Sequence, residues 1–241
     1  KVTDNGVEKY LDMAALRTVI EAACEGLGNH IDAAPIITET IKNLYDGVPM
    51  AQVYDSAILA SRTLIEKDPA YSQVTARILM HVIRKEILGK EVLQGDMQSE
   101  YASYFPKFIN EGISAELLDP RMREYDLPRL AAALNASRDL QFNYLGLQTL
   151  YDRYFLHIED RRIEMPQAFF MRVAMGLALN ELDRERRAIE FYEILSTFDF
   201  MSSTPTLFNS ATTRPQLSSC YLTTVEDDLD GIYEALKENA L

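Results

Sequence analysis

The sequence predicts a mainly α-helical chain, and three observations carry that expectation. Apolar residues recur at helical spacing through most of the positions before Phe198, with Asp or Pro ahead of many of these runs and Gly behind several of them. Strand signals before that point are limited to two short hairpins, one around Asn5-Gly6 and one around Glu159-Asp160. After Phe198 the chain changes character: Met201 to Thr224 is rich in Ser and Thr, contains Pro205 and Pro215, and fits extended chain better than helix.

The elements follow in order. Lys1 to Leu11 places Asn5-Gly6 between two runs that can extend, which predicts a hairpin. Asp12 then caps a helix that turns Leu16, Val19, Ile20 and Ala23 inward and stops at Gly26 or Gly28. A second helix starts at Asp32, carries Ile36, Ile37, Thr40, Ile41 and Leu44 inward, and ends at Asp46-Gly47. A third runs from about Pro49 to Lys67, with Val53, Ala57, Leu64 and Ile65 among its apolar positions, and Asp68-Pro69 breaks it. A fourth covers Tyr71 to Leu88, buries Val74, Ile78, Val82 and Ile83, and closes at Gly89. The first ninety or so residues thus read as a small hairpin on four helices.

From Met97 to Leu134 the expectation is helix interrupted at Pro106, Gly112, Pro120 and Pro128. Another helix covers about Phe142 to Tyr151. Tyr154 to Ile158 and Ile163-Glu164 form a hairpin around the polar turn Glu159 to Arg162. Pro166 opens an apolar helix through Phe169, Phe170, Val173, Ala174 and Leu177, and Asp183 caps the next through Ile189, Phe191, Tyr192 and Leu195. A last amphipathic helix with Leu229, Ile232, Tyr233 and Leu236 follows Asp227-Asp228.

Composition narrows the function. At 241 residues, 47% hydrophobic and 25% charged, the chain can bury the core of one large or two small domains. No run approaches the roughly 20 apolar residues that cross a bilayer, and the N-terminus lacks a secretory layout, so neither a membrane role nor export is expected and the cytoplasm is the expected location. A net charge of −13 repels a phosphate backbone, and no basic cluster offsets it, which argues against nucleic-acid binding. Cys24 and Cys220 lie in unlike surroundings, which fits a reducing compartment better than a disulfide framework. His30, His81 and His157 lack the close spacing of a metal site, and no metal is expected.

Two segments carry a resemblance. Ser202-Ser203-Thr204-Pro205-Thr206-Leu207-Phe208-Asn209-Ser210, then Arg214 to Leu222 with Ser218-Ser219-Cys220, then Asp227-Asp228-Leu229-Asp230-Gly231-Ile232, resembles the entry to the catalytic barrel of ribonucleotide reductase large (alpha) subunits. There a Thr-Pro pair, a Ser-Cys pair and an Asp-x-Leu segment recur in this order. Asp139 to Gly146, Leu150-Tyr151 and Glu164 to Gln167 are similar to the family's N-terminal helical domain. The resemblance extends to the start of the chain, whose hairpin and four helices look like an ATP-cone, the regulatory module that binds ATP or dATP.

It implies three parts: a cone-like domain over 1–93, a helical domain over 94–200, and over 201–241 the first strand and helix of a truncated α/β barrel. It also implies site residues. Cys220 matches the first of two cysteines that reduce the ribose by becoming a disulfide, and Thr204 and Ser219 match positions that hold substrate. Asp227, Asp228 and Leu229 match the segment that reads a deoxynucleotide effector, although acidic residues there need only cap a helix. Read without the flanking motif, Cys220 is better taken as a buried structural cysteine, and Cys24, among Ala22, Ala23 and Leu27, reads as core packing.

The cone departs from its family. Thr3-Asp4-Asn5-Gly6 stands where the family has Lys-Arg-Asp-Gly, Ala15 replaces a lysine, and a threonine is lost around Met50. A triphosphate carries close to four negative charges, so a site without these cations holds it weakly. The cone is therefore read as degenerate, with Lys9, Arg84 and Lys85 the cations through which a divergent site would still bind, and a competent cone expected ahead of Lys1.

The family membership implies a ribonucleoside diphosphate substrate, ATP, dATP and deoxynucleotide effectors, a homodimer, a small (beta) subunit that makes the radical on a metal, and thioredoxin or glutaredoxin as reductant. The chain itself is expected to hold no cofactor. With the partner cysteine, the thiyl cysteine and the relay tyrosines expected beyond Leu241, it is not expected to turn over alone. Competing readings are a cobalamin-dependent reductase, which shares the entry motif, a stand-alone nucleotide-sensing or oligomerisation module, and a plain helical scaffold.

Overall fold

The computed structural model describes residues 1–4 and 6–241; Asn5, half of the pair on which the first hairpin expectation rests, lies outside the described residues. Around it, β1 (Val2–Asp4) and β2 (Val7–Lys9) pair antiparallel with Val2 opposite Lys9, and Gly6 adopts a left-handed φ of +79° that a side chain would resist. A third strand, β3 (Val48–Pro49), lies parallel to β1. The sequence reading did not anticipate it, because two residues are too few to show alternation. Asp46-Gly47, read as a helix end, instead leads into this strand, and the Gly47 amide donates to the Lys1 carbonyl at 3.0 Å.

Helix α1 (Met13–Cys24) starts as expected at Asp12, whose carboxylate accepts from the Ala14 and Ala15 amides at 3.0 Å. Helix α2 (Ala33–Lys42) is capped by Asp32 and buries Ile36, Ile37 and Thr40. Ile41 was expected inside and is 44% exposed, since at about 100° per residue it falls at the margin of the stripe those three define. Helix α3 (Met50–Arg62) follows Pro49 and stops five residues short of the predicted Lys67, giving way to turns before Pro69. Helix α4 (Tyr71–Leu88) has the predicted limits, and Gly89 closes it in the left-handed region at φ +69°.

Helix α5 (Met97–Ser114) corrects the sequence reading, because it runs through both Pro106 and Gly112. An interior proline costs about 3 kcal/mol, but Tyr101, Phe105, Phe108 and Ile109 are all fully buried on this helix and their packing outweighs it. Gly112 is not a stop either: the Leu118 side chain lies 2.7 Å from where its Cβ would sit, and its carbonyl accepts from the Leu117 and Leu118 amides. Pro120 and Pro128 do mark boundaries, the first opening a 3-10 turn and the second lying in the first turn of α6 (Leu127–Ala133).

Helix α7 (Tyr144–Arg153), capped by Asn143, leads to the second hairpin, β4 (His157–Ile158) and β5 (Arg161–Arg162). Its turn shrinks to Glu159-Asp160, with Glu159 at φ +53°, and Arg161-Arg162, expected in the turn, are strand. Helix α8 (Pro166–Ala178) opens at Pro166 and is buried from Pro166 to Met175; α9 (Arg184–Ser196), capped by Asp183, lies along it.

Beyond Phe198 the expectation of extended chain holds only in part. A short helix, α10 (Thr204–Asn209), forms inside it with Pro205 in its first turn. Residues 215–226 then form neither helix nor strand, so the strand expected there has no ladder among the described residues. Helix α11 (Leu229–Ala240) completes the chain, with only Ala235 buried.

One hydrophobic cluster runs from Val2 to Ala211 and crosses residue 93 without a break. Helix α4 is its central wall, packing against α1 and α3 on the hairpin side and against α7 on the other.

Candidate functional site

Thr204 stands at the start of α10, its side chain exposed, with the Tyr154 phenol oxygen 3.1 Å from its Oγ1. The other end of α10 is clamped from below. Arg172, fully buried on α8, sends Nη1 to the carbonyls of Leu207 (3.1 Å) and Ser210 (2.9 Å), which the end of so short a helix leaves without amide partners. The same guanidinium is paired with the equally buried Glu164 at 2.7 Å, and Glu164 also accepts from the Leu156 amide. A charge inside the apolar run Phe169-Phe170-Met171-Arg172-Val173 is a sequence signal of an obligatory partner. The sequence reading passed over it. Close approach finishes the clamp: a Cβ on Gly176 would overlap the Ala211 amide, and Ser210 Oγ donates to the Val173 carbonyl at 2.7 Å.

The segment leading to Cys220 is tied to this helix. Thr206 Oγ1 donates to the Leu217 carbonyl at 3.2 Å, and Asn209 Nδ2 to the Gln216 carbonyl at 2.7 Å. Three residues further on, Cys220 and Ser219 are exposed, with Ser219 Oγ 3.7 Å from Cys220 Sγ. The thiol is therefore free and accessible, and not a buried packing cysteine. Cys24 differs. It is packed against the core, and burial pushes its thiol up to about 11, which leaves it protonated and inert.

Of the acidic segment, Asp228 is the cap of α11, accepting from the Gly231 amide at 2.8 Å, while Asp227 and Leu229 are exposed. Capping thus occupies one oxygen of Asp228 and leaves Asp227 uncommitted.

Of the three predicted cations of the cone-like part, Lys9 and Lys85 line one cleft and Arg84 does not. A cleft of about 680 Å³ between the hairpin, α1, α3 and α4 is lined by Asp4, Lys9, Tyr54, His81, Lys85 and Glu91, among others. Each of its two predicted lysines has a carboxylate: Lys9 bonds Asp4 at 2.6 Å and Lys85 bonds Glu91 at 2.8 Å. Glu91 is also bonded to His81 and, at 3.2 Å, to the Tyr54 hydroxyl; the His81 bond first, with Lys85, holds its carboxyl down at about 2.

Arg84 turns away from this cleft. It is 5% exposed, donates to Gln94, and pairs at 3.0 Å with the buried Asp139 in the segment between α6 and α7. Asp139 also accepts from Tyr101 at 3.1 Å and from Gln167 at 2.8 Å, and Gln167 in turn accepts from Tyr192 at 2.7 Å. Burial pushes the Asp139 carboxyl up, against the pull of Arg84 and these donors. The remaining histidines have structural partners: His30 lies 3.0 Å from Asp68, and His157 Nδ1 lies 2.9 Å from the Glu159 carbonyl. No described helix is long and apolar enough to cross a membrane.

Comparison with known proteins bears on this arrangement. Residues 140–215, which hold α7 to α10 and both halves of the Arg172 clamp, match the family described as "Ribonucleotide reductase, all-alpha domain". The chain is 46% identical over 240 residues to a ribonucleoside-diphosphate reductase subunit alpha of Chlamydia muridarum, an alignment that takes in 100% of this chain and 23% of that protein. It is 33% identical over 242 residues to the subunit alpha of Helicobacter pylori, covering 30% of it. With the large subunit of Danio rerio it shares 36% identity over 226 residues, which is 92% of this chain and 28% of that protein. The chain thus spans about a quarter of the length of the relatives it matches.

Proposed function

The chain belongs to the ribonucleotide reductase large-subunit family, and from that premise we propose that it supplies one redox cysteine and part of the substrate pocket of a ribonucleoside-diphosphate reductase. The observation that carries this reading is the accessible Cys220 thiol at the end of a segment bonded to the helix that bears Thr204. In the reaction, carbon 2′ of the ribose loses its hydroxyl as water and gains hydrogen, and two thiols become one disulfide. Cys220 is one of the two; Thr204 and Ser219 hold the sugar. Asp227, Asp228 and Leu229 read a deoxynucleotide effector at the start of α11. The complete enzyme works in the cytoplasm as a homodimer, takes its radical from a metal-bearing small subunit, and is re-reduced by thioredoxin or glutaredoxin, which suits a free thiol at the surface. The test is Cys220→Ser in the complete polypeptide, assayed with the small subunit and thioredoxin. Multiple turnover is expected to vanish while effector binding persists; turnover within tenfold of the parent defeats the reading.

The cone-like part is proposed to be structural. Support comes from the paired Lys9 and Lys85 and from the withdrawn Arg84, which together leave a −4 ligand with little free positive charge in the cleft. Calorimetric titration of Lys9→Ala/Lys85→Ala and parent chains with dATP decides it. The two are expected to give the same isotherm, and micromolar binding that the substitutions abolish overturns the reading.

A further inference from the structure

The hydroxyl of Thr204 is an odd choice for a fixed contact, because nothing in its own helix holds it. Thr204 is the first residue of α10, the Ser203 cap makes no side-chain hydrogen bond, and the threonine faces solvent. What restrains it comes from fifty residues earlier. Tyr154 closes α7, its amide donating to the Leu150 carbonyl at 2.9 Å, and its phenol oxygen lies 3.1 Å from Thr204 Oγ1.

The phenol is itself held. The Tyr154 ring stacks on Phe208 at 4.4 Å and 15°, and meets Phe169 of α8 edge-on at 6.4 Å and 80°. Phe208 lies four residues after Thr204, one turn along the same helix face. Tyr154 therefore grips α10 at two points, through its ring on Phe208 and its hydroxyl on Thr204. A threonine hydroxyl has one proton and two lone pairs. When the phenol, the stronger donor, fills one lone pair, the threonine proton stays free and is polarised toward the next acceptor.

We propose that Tyr154 is a positioning residue for the reductase pocket: it orients the Thr204 hydroxyl so that its proton is presented to an oxygen of the ribonucleoside diphosphate. This rests on the reading of Thr204 as a substrate contact. Tyr154 itself touches no substrate, so its effect passes through Thr204 alone.

Tyr154→Phe removes the hydroxyl and keeps the ring stack. In the complete reductase with its small subunit and reductant, Tyr154→Phe is expected to raise KM for the diphosphate about fivefold, the scale of one neutral hydrogen bond, with kcat within twofold. Thr204→Val is expected to raise KM at least as much. The double variant is expected to match Thr204→Val, because a tyrosine that acts only through the threonine has nothing left to lose. If Thr204→Val leaves KM unchanged, the substrate role of Thr204 fails. If Thr204→Val raises KM but Tyr154→Phe does not, or the two effects multiply, the Thr204 reading stands and the positioning role of Tyr154 is overturned. A purely structural tyrosine would lower the thermal midpoint and leave KM alone.

Discussion

Arg84 and Asp139 meet at 3.0 Å inside the protein, and through that bond the last turns of α4 are fastened to the segment that leads into α7. The arginine side chain is 6% exposed and the aspartate side chain not at all, so neither charge has water to fall back on.

Asp139→Ala strands the Arg84 guanidinium and removes an acceptor from Tyr101 and Gln167. Removing one partner of a buried pair costs about 3–5 kcal/mol. Urea denaturation of the variant is expected to show a loss on that scale, and a loss below about 1 kcal/mol would mean that the pair is solvated.

Arg172→Met keeps volume and deletes the clamp under α10, leaving Glu164 buried without its cation. Global stability is expected to fall by about 3–5 kcal/mol. Amides of residues 204–210 are expected to exchange faster than those of α9, because the carbonyls of Leu207 and Ser210 lose their donor. Uniform acceleration across α8, α9 and α10 would contradict the clamp.

Two glycines offer a matched comparison. Alanine at Gly176 drives a methyl into the Ala211 backbone, which cannot swing aside, and overpacking of this kind costs about 1–3 kcal/mol. At Gly112 the methyl meets the side chain of the buried Leu118 and no backbone atom, and the helix gains up to about 1 kcal/mol from losing a glycine, which offsets part of that clash. Thermal unfolding should therefore rank Gly176→Ala well below Gly112→Ala, and the reverse order would refute the close approach at Ala211.

Glu91 sets an acid limit. Its carboxyl ionises near 2 in the fold against 4.5 when free, chiefly through the bond from His81, so its contribution is complete above about 4.5 and is lost as pH falls toward 2. The side chain is 48% exposed, and solvent screening keeps the effect small. Glu91→Gln should lower stability at pH 7 slightly and flatten the pH dependence between 4.5 and 2. A difference that grows as the pH falls would have the wrong sign.

How much of this could be read in advance follows from how local each signal is. Asp12, Asp32 and Asp183 cap the helices they were expected to cap, and Gly89 and Pro166 sit at the ends they were expected to mark, because a cap is settled by two or three neighbouring residues. Pro106 misled for the opposite reason: what keeps α5 whole is the burial of Tyr101, Phe105 and Phe108 against elements far along the chain. Arg84, expected from the sequence beside Lys85 at one site, faces Asp139 and not the cleft that Lys85 lines, because adjacent residues on a helix point about 100° apart and only the packing partner decides which one faces which way. At the candidate site, Thr204, Ser219 and Cys220 are candidates because of the motif that holds them. Tyr154, Arg172 and Glu164 lie outside that motif and touch it only in three dimensions.

The double-sided packing of α4 bears on any attempt to move the first ninety residues elsewhere. A transplant cut at residue 93 would take Arg84 without its aspartate and bare the face that meets α7, so the recipient would have to supply an acid and an apolar wall at that spot. Moving these residues to another subunit therefore calls for redesign of the seam as well as of the splice.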